Sequence, residues 1–455
     1  MFKRALISLS LILILLVMSV PAMAAGPKAT IGVNVVLNTE VTDAILADLG
    51  THGLVRDVIY EIQGVTLLVK ASELDRIRAL PYVAAANPDS GRAGAPIDAV
   101  AATDFATGRS TWNLDAIGVT ECNVTSRQVV YNGTGVYVAV LDTGLLDSWR
   151  QYFPQERIAV EYARCFGGGG GEMGWVSEQP QKWEHDQNSH GTHVTSTIIG
   201  YSLRGTPING VAPMVKIIPV KVLNQNGSGW SSVVARGITY IADLKDGLLA
   251  AYPLIINMSL GGDELDAMEQ AAIDYAINKG VIVVASAGNE GEAGMGYPGA
   301  YEPVISVAAS GWIGEWTAPA WWWSLNVNDP TNPNDFYITD FSSRQLSGQD
   351  LDVAAPGSWV VGPYQLQSGK TSYYYLGGTS MASPHVAGIV ALMAQKCPDL
   401  TAPQAETILE ASATDLPPGC RNVSQPDGSL SNICWAANAT GHGLVDAAAA
   451  LAAIP

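Results

Sequence analysis

Between Ile31 and Leu37 apolar and polar residues alternate, which predicts a strand. Val41 to Leu49 repeats its apolar residues at helical spacing instead, and Gly50 ends the run. Val65 to Val69 is again strand-like, Ser72 opens a helix running to about Leu80, and a short apolar run from Tyr82 to Ala85 follows. These stretches form a small α+β unit. From about Asp89 to Ser110 the chain turns to Gly, Ala, Pro, Asp and Thr without sustained periodicity, the look of a linker or processing segment. Beyond Trp112 the apolar runs become continuous: Val136 to Leu141, Val215 to Val222, Leu254 to Met258 and Val281 to Ala285. Strands buried on both faces of a parallel sheet read this way. Helical stretches such as Ser231 to Leu244 and Leu265 to Asn278 lie between them. The alternation predicts a doubly wound α/β domain, a mostly parallel sheet with helices on both faces and a site at the C-terminal strand ends. Gly311 to Tyr337 breaks the rhythm with Trp312, Trp316, Trp321, Trp322 and Trp323 among Pro and Asn, and reads as a long loop. Its aromatics either pack on themselves and the neighbouring surface or form an exposed patch that grips a polymer or partner.

Composition supports a large core, with 455 residues, 48% hydrophobic and 15% charged. A formal net charge of -18 without any Lys/Arg-rich run argues against nucleic acid as a partner. Met1-Phe2-Lys3-Arg4, the apolar run Ala5 to Val20 and the ending Ala22-Met23-Ala24 have the layout of an export signal, with cleavage expected after Ala24. A retained membrane anchor is the alternative reading, and the Ala-x-Ala ending favours removal instead; no later segment is long and apolar enough to span a bilayer. The expectation is therefore a secreted, extracellular protein with no membrane partner once residues 1–24 are removed. Oxidising surroundings would allow two disulfides among Cys122, Cys165, Cys397, Cys420 and Cys434. Cys420 with Cys434 is the expected local pair, since they bracket a short Ser/Asn/Pro/Gly-rich loop. Sequons stand at Asn123, Asn132, Asn257, Asn422 and Asn438, the third inside a buried-strand pattern where modification is not expected.

Three segments fall where such a sheet places an active site. The strand Val138 to Leu141 ends in Asp142-Thr143-Gly144; Asn188-Ser189 precedes His190 at the start of a helix; Gly377-Gly378-Thr379 delivers Ser380 to the start of another. A serine hydroxyl is a poor nucleophile at neutral pH and needs a base to take its proton and a third group to orient that base. A zinc hydrolase built on His185, His190 and His193 is the competing reading, but no His-Glu-x-x-His occurs and Gly191-Thr192 supplies no acidic general base.

The three segments, with Ala285-Ser286-Ala287-Gly288-Asn289-Glu290-Gly291, resemble the subtilisin-like serine proteases over most of residues 112–450. The resemblance implies that Asp142 orients the imidazole, His190 acts as base and then acid, and Ser380 is the nucleophile. Asn289 would donate a hydrogen bond to the oxyanion; a subtilisin that loses this donor loses about 10²–10³ in turnover. Gly227-Ser228-Gly229 and Ser259-Leu260-Gly261 match the two backbone edges that hold an extended peptide substrate, and Gly296 matches the base of the primary specificity pocket. The expected substrates are proteins or peptides, cut after large apolar residues, with Glu290 able to admit a basic side chain at the pocket rim. The same resemblance makes residues 25–105 an inhibitory pro-domain with its processing segment, an intramolecular inhibitor that the enzyme cuts off itself, and 106–455 the catalytic domain. A catalytically dead binding module of the same fold would be expected to lack one of the four site residues, and all four are present. The chemistry requires no cofactor. The family's tight calcium site is not expected: Asp142 is followed by Leu145-Leu146-Asp147-Ser148-Trp149, Arg204 in the loop Tyr201 to Thr206 would repel a cation, and few hard oxygen ligands are evident. The Asp and Asn residues between Asn326 and Asp335 leave room for a structural calcium elsewhere.

Overall fold

The computed structural model describes residues 29–102, 111–121, 126–167, 178–179, 181–317, 327, 329–366 and 372–454. The export signal, Cys122, Asn123 and Trp321 to Trp323 therefore lie outside the described residues.

The first unit runs β1 (Thr30–Leu37), α1 (Asp43–His52), β2 (Gly53–Ile59), β3 (Gly64–Lys70), α2 (Leu74–Arg78) and β4 (Val83–Pro88). Its strands form an antiparallel sheet in the order β2-β3-β1-β4. Alternation decides its faces: Val33, Val35, Leu37, Val65, Leu67 and Val69 pack with Leu49 of α1 and Ile77 of α2. The sequence pattern misses β2, where Arg56 and Asp57 interrupt the apolar residues and the register with β3 shifts between Val55 and Asp57.

Two short strands follow where the sequence suggested only a linker: β5 (Gly91–Ala93) and β6 (Asp98–Ala101). They borrow their partners from the second unit, so no local periodicity announces them.

The second unit comprises α3 (Trp112–Asp115), β7 (Tyr137–Asp142), β8 (Arg164–Cys165), α4 (His190–Ile199), β9 (Tyr201–Leu203), β10 (Thr206–Ile208), β11 (Lys216–Lys221) and β12 (Ser228–Trp230). Next come α5 (Ser231–Asp246), β13 (Leu254–Met258), α6 (Ala267–Asn278), β14 (Val281–Ser286), β15 (Ile305–Trp312), β16 (Phe336–Ile338), β17 (Val353–Pro356), β18 (Val360–Tyr364) and β19 (Ser372–Gly377). The chain closes with α7 (Thr379–Lys396), α8 (Ala402–Ser412), β20 (Gly419–Ser424), β21 (Leu430–Trp435) and α9 (Ala447–Ala453). The main sheet has the order β16-β15-β14-β13-β7-β11-β8, with β17 also on β15. All its pairs are parallel except β15 with β16.

Successive strand residues point to opposite faces. Val138, Val140, Ile255, Ile282 and Val284 meet Val194 and Ile198 of α4 and Val386 and Ile389 of α7. Ala139, Leu141, Leu254, Ile256 and Val283 meet Val234, Ile238 and Ile241 of α5 and Ala272 and Ile273 of α6. Each such Val, Leu or Ile contributes roughly 1.5–3 kcal/mol on burial, which is why uninterrupted apolar strands specify a sheet covered on both sides. The first unit lays its other sheet face on α5 and α6: Ile59 and Ile62 join that core, and Arg236 on α5 pairs with Asp57 at 2.6 Å.

The Trp-rich stretch differs from the expected loop at both ends. Gly311 and Trp312 finish β15, and Phe336 and Tyr337 begin β16 against them. Trp312 stacks on Trp112 with ring centroids 6.4 Å apart, and Trp316 meets Trp359 edge-on at 5.4 Å, so Trp312 and Trp316, partly buried, are packed against the core. Cys420 and Cys434 are bonded across the β20–β21 ladder, while Cys165 and Cys397 are free thiols among the described residues. Asn257 is fully buried, accepting from Ser383 Oγ at 2.8 Å and donating to Ser259 Oγ at 3.1 Å.

Candidate active site

Asp142 ends β7, His190 opens α4 and Ser380 is the second residue of α7, so the sheet edge gathers three residues far apart in sequence. His190 Nδ1 lies 2.9 Å from both Asp142 carboxylate oxygens. This approach demands a glycine next to the histidine. A Cβ at Gly191 would sit 2.4 Å from the Gly144 carbonyl oxygen and 3.2 Å from Asp142 Cβ. Ser189, in the left-handed region at φ 72°, turns the chain into α4 so that the imidazole faces β7. On the other side, Gly378 at φ 155° makes the turn that presents Ser380.

Ser380 Oγ donates to the Ser259 carbonyl at 3.1 Å, and Ser259 Oγ donates to the Ser380 carbonyl at 2.8 Å. Among the described residues His190 Nε2 is buried without a hydrogen-bond partner. The Asp–His contact is therefore made, and the hydroxyl points to Ser259. Asn289 Oδ1 accepts from Thr379 N and Oγ1, both at 2.9 Å, which fixes the amide and leaves Nδ2 as its donor atom beside the start of α7.

Behind Asp142 lies a set of polar residues that the sequence reading passed over. Thr143 N donates to Asp142 Oδ1 at 2.6 Å; Thr143 Oγ1 accepts from Gly191 N and donates to Asp186 Oδ2, both at 2.9 Å. Lys221 Nζ donates to the Thr143 carbonyl at 2.5 Å. Burial pushes the Asp186 carboxyl up to about 6, against the pull of the Lys221 charge, and burial lowers Lys221 in turn. The buried lysine that closes the apolar run Ile217–Val220 was the available signal. His193 is drawn away from the site, its Nε2 against the Val360 carbonyl at 3.0 Å, and burial lowers it to about 3. His185 is exposed and pairs with Asp147 at 3.0 Å. The three histidines of the zinc reading thus serve three separate contacts.

The edge residues Gly227, Ser228, Gly229, Ser259, Leu260 and Gly261 do come together, and a strand already lies between them. β5 pairs antiparallel with β12, matching Gly229 to Arg92 and Ser228 to Ala93. Ala93 N donates to the Gly261 carbonyl at 2.8 Å, Gly261 N donates back at 2.9 Å, and Gly94 N donates to the Gly227 carbonyl at 2.8 Å. Past the serine, Ile97 N donates to the Gly377 carbonyl at 2.8 Å, and β6 pairs with β19. Gly296 sits where the backbone of Gly262 pairs with Tyr297, and an added Cβ would lie 3.4 Å from the Gly262 carbonyl oxygen. Glu290 accepts from Ser343 Oγ at 3.0 Å and from Asn289 N at 2.6 Å, so its carboxylate is tied to the adjacent backbone and to the segment carrying Ser343.

Residues 133–431 match the model of the subtilase family (peptidase S8). The chain belongs to that family. It is 35% identical to subtilisin DY of Bacillus licheniformis over 290 residues, 63% of this chain and 86% of that protein. Thermitase of Thermoactinomyces vulgaris is 33% identical over 59% of this chain and 77% of its own length. The extracellular serine proteinase of Thermus sp. strain Rt41A is 32% identical over 81% of this chain and 76% of that protein. Among solved structures, fervidolysin from Fervidobacterium pennivorans, a keratinolytic enzyme related to subtilisin, superposes with a TM-score of 0.65 at 25% identity. That match covers 94% of this chain and 62% of the longer fervidolysin chain. As a subtilase, the protein is a serine endopeptidase, a hydrolase acting on protein substrates.

For the stretch 326–335, Asn326 and Asn328 lie outside the described residues. In the remainder, Asp329 Oδ1 accepts from Thr331 Oγ1 at 2.6 Å and Asn332 Oδ1 from Asn334 N at 3.1 Å, so these groups close on their own turn. The loop expected to lack the tight calcium site is the β9–β10 hairpin, with Arg204 at its turn.

Proposed function

We infer that the chain is a secreted endopeptidase made as a precursor, with Asp142, His190 and Ser380 as its catalytic triad. One observation carries this reading: the chain's own extended strand is hydrogen-bonded into the cleft on both sides and crosses Ser380, as a peptide substrate would. When the Ser380 hydroxyl turns from Ser259 to His190 Nε2, the imidazole takes its proton and Oγ attacks the carbonyl carbon. Asp142, held by Thr143 N, orients Nδ1 and stabilises the imidazolium. Asn289 Nδ2 and the Ser380 N–H receive the oxyanion. Collapse to the acyl-enzyme returns the proton from His190 to the leaving amine, and water repeats the sequence to free the enzyme. Catalysis runs without a metal in any step.

The first unit, residues 25–105 with the processing segment, acts as the inhibitory pro-domain, and 106–455 as the catalytic domain. Supporting this, the fervidolysin match extends over nearly the whole chain, and β5 and β6 occupy the cleft from both sides of Ser380. Gly296 leaves the primary pocket open for large apolar side chains. A fluorophosphonate probe tests the reading: the mature protein takes up one label at Ser380, and Ser380→Ala takes up none. Absence of labelling in mature wild type would instead favour a binding module.

A further inference from the structure

The antiparallel register assigns a place to each residue in the cleft. Ala93 faces Gly261 through both backbone bonds, so two residues on Ala95 faces Ser259, whose carbonyl accepts the Ser380 hydroxyl. Ile97 is already bonded to Gly377 on the far side. The bond lying at Ser380 is therefore Ala95–Pro96, and Arg92 is the fourth residue ahead of it.

Arg92 does not point to solvent. It is 2% exposed, and its guanidinium is clasped by Glu269 of α6, itself 1% exposed. Nε donates to both Glu269 oxygens at 3.1 Å, and Nη2 donates to Oε2 at 2.5 Å and to the Glu264 carbonyl at 3.1 Å. Nη1 turns back to the Gly91 carbonyl at 2.8 Å. Asp266 and Asp89 add negative charge around the pair, while burial opposes ionisation of Glu269 and the Arg92 charge favours it. Asp263, Glu264 and Glu290 line the same cleft, whose volume is about 810 Å³.

This geometry has a consequence once the leader departs. Glu269 belongs to the catalytic unit and stays, but its cation leaves with residues 91–95. A buried carboxylate without a partner is costly, and a side chain that restores the fork of bonds recovers that loss. An apolar side chain would cover Glu269 and leave it unpaired; lysine would supply a charge but not the bidentate fork. We propose that Glu269 is a specificity-determining residue of this protease, selecting arginine at the fourth residue ahead of the scissile bond. The inference rests on the cleft reading under Proposed function and adds to it the side-chain class that this part of the cleft takes.

The test uses mature enzyme obtained by expressing the full chain, with active sites counted by the fluorophosphonate probe. Four acyl-tetrapeptide p-nitroanilides share the sequence of the cleft strand, X-Ala-Gly-Ala, with X as arginine, lysine, norleucine or glutamate. In wild type kcat/KM for arginine should exceed that for norleucine about 10²-fold, the scale of a buried charge pair, with lysine between them and glutamate last. Glu269→Gln should bring the arginine-to-norleucine ratio within about threefold of unity, and Glu269→Leu should invert it, without reducing the number of labelled serines. A wild-type ratio near unity, or a ratio that survives in Glu269→Leu, overturns the inference. Should the variants fail to mature, the wild-type ratio alone decides. Equal hydrolysis by a labelled enzyme defeats this inference only, whereas an unlabelled protein defeats the cleft reading and this inference with it.

Discussion

Asp89 holds the cleft strand in place through bonds that can be counted, which makes its removal a quantitative test. The side chain is 6% exposed, and Oδ1 accepts from Asn34 Nδ2 at 3.0 Å, Ser231 Oγ at 2.9 Å and Ser232 N at 3.0 Å, while Oδ2 accepts from Ser232 Oγ at 2.7 Å. Trp230, at the N-cap of α5, provides no side-chain bond, so Asp89, just after β4, caps that helix in its place. In Asp89→Ala, Asn34 and Ser231 keep their bonds to Asp266 Oδ2 at 2.8 and 2.6 Å. Ser232 loses both of its Asp89 bonds. Two buried groups left unpaired cost about 1–3 kcal/mol each, and relief of the repulsion between Asp89 and Asp266 returns part of that. A net weakening of about 3 kcal/mol shifts the docking equilibrium of the strand by about 10². The readout is hydrogen exchange in the Ser380→Ala background, where the proposed self-cleavage cannot intervene. The amides of Ala93 and Gly94, which donate to Gly261 and Gly227, should lose about 10² in protection, with Leu254–Met258 unchanged. Protection within threefold of the parent, or an equal loss in the central strand, would refute local docking through Asp89.

Ser380→Ala should accumulate as one polypeptide retaining residues from Ala25 onward, while wild type yields two fragments on a gel with a cut between Asp89 and Ser110. Maturation of the mutant to the wild-type N-terminus would assign the cut to another protease. Because proline places a ring on the leaving nitrogen at the Ala95–Pro96 bond, Pro96→Ala should mature faster, read as the time course of leader release by intact mass. Gly296→Val should move the substrate profile from large apolar to small side chains ahead of the cut; an unchanged peptide-library profile would show that Gly296 does not floor the pocket. Burial pushes Glu315 up to about 8, against the bonds it accepts from Trp312 N, Tyr337 and Ser358. The folded state holds that proton more tightly than the unfolded chain, so its stabilisation is complete below about pH 4.5 and is lost as pH rises through about 8. Thermal melts of the Ser380→Ala chain from pH 5 to 9 should flatten by about one proton in Glu315→Gln, and an identical slope would contradict the assignment.

The main sheet was legible because its strands are covered on both faces and must be apolar at every position; Leu254–Met258 and Val281–Ser286 leave no other reading. The glycine and serine turns around Asp142, His190 and Ser380 were legible too, since presenting a polar side chain at a strand end needs a sharp local turn whose residues are adjacent in sequence. β2 was not, because Arg56 and Asp57 sit at a bulge and imitate a loop. β5 and β6 were not, because a strand whose partners lie more than 130 residues away carries no periodicity of its own.

Glu269 marks the boundary between the two kinds of information. In sequence it is one acidic residue on a helix, the ordinary sign of a solvated face. The fold buries it against a strand brought from residues 91–93 and sets it opposite an arginine. Similarly, Lys221 reads as the polar end of a strand, and only the turn at Thr143 gives its ammonium a carbonyl to bond. Local sequence determines the elements and the turns that expose the reactive groups, because those depend on neighbours along the chain. Which charges are buried, which partners they find and what the cleft selects depend on segments far apart in sequence, and packing alone decides them.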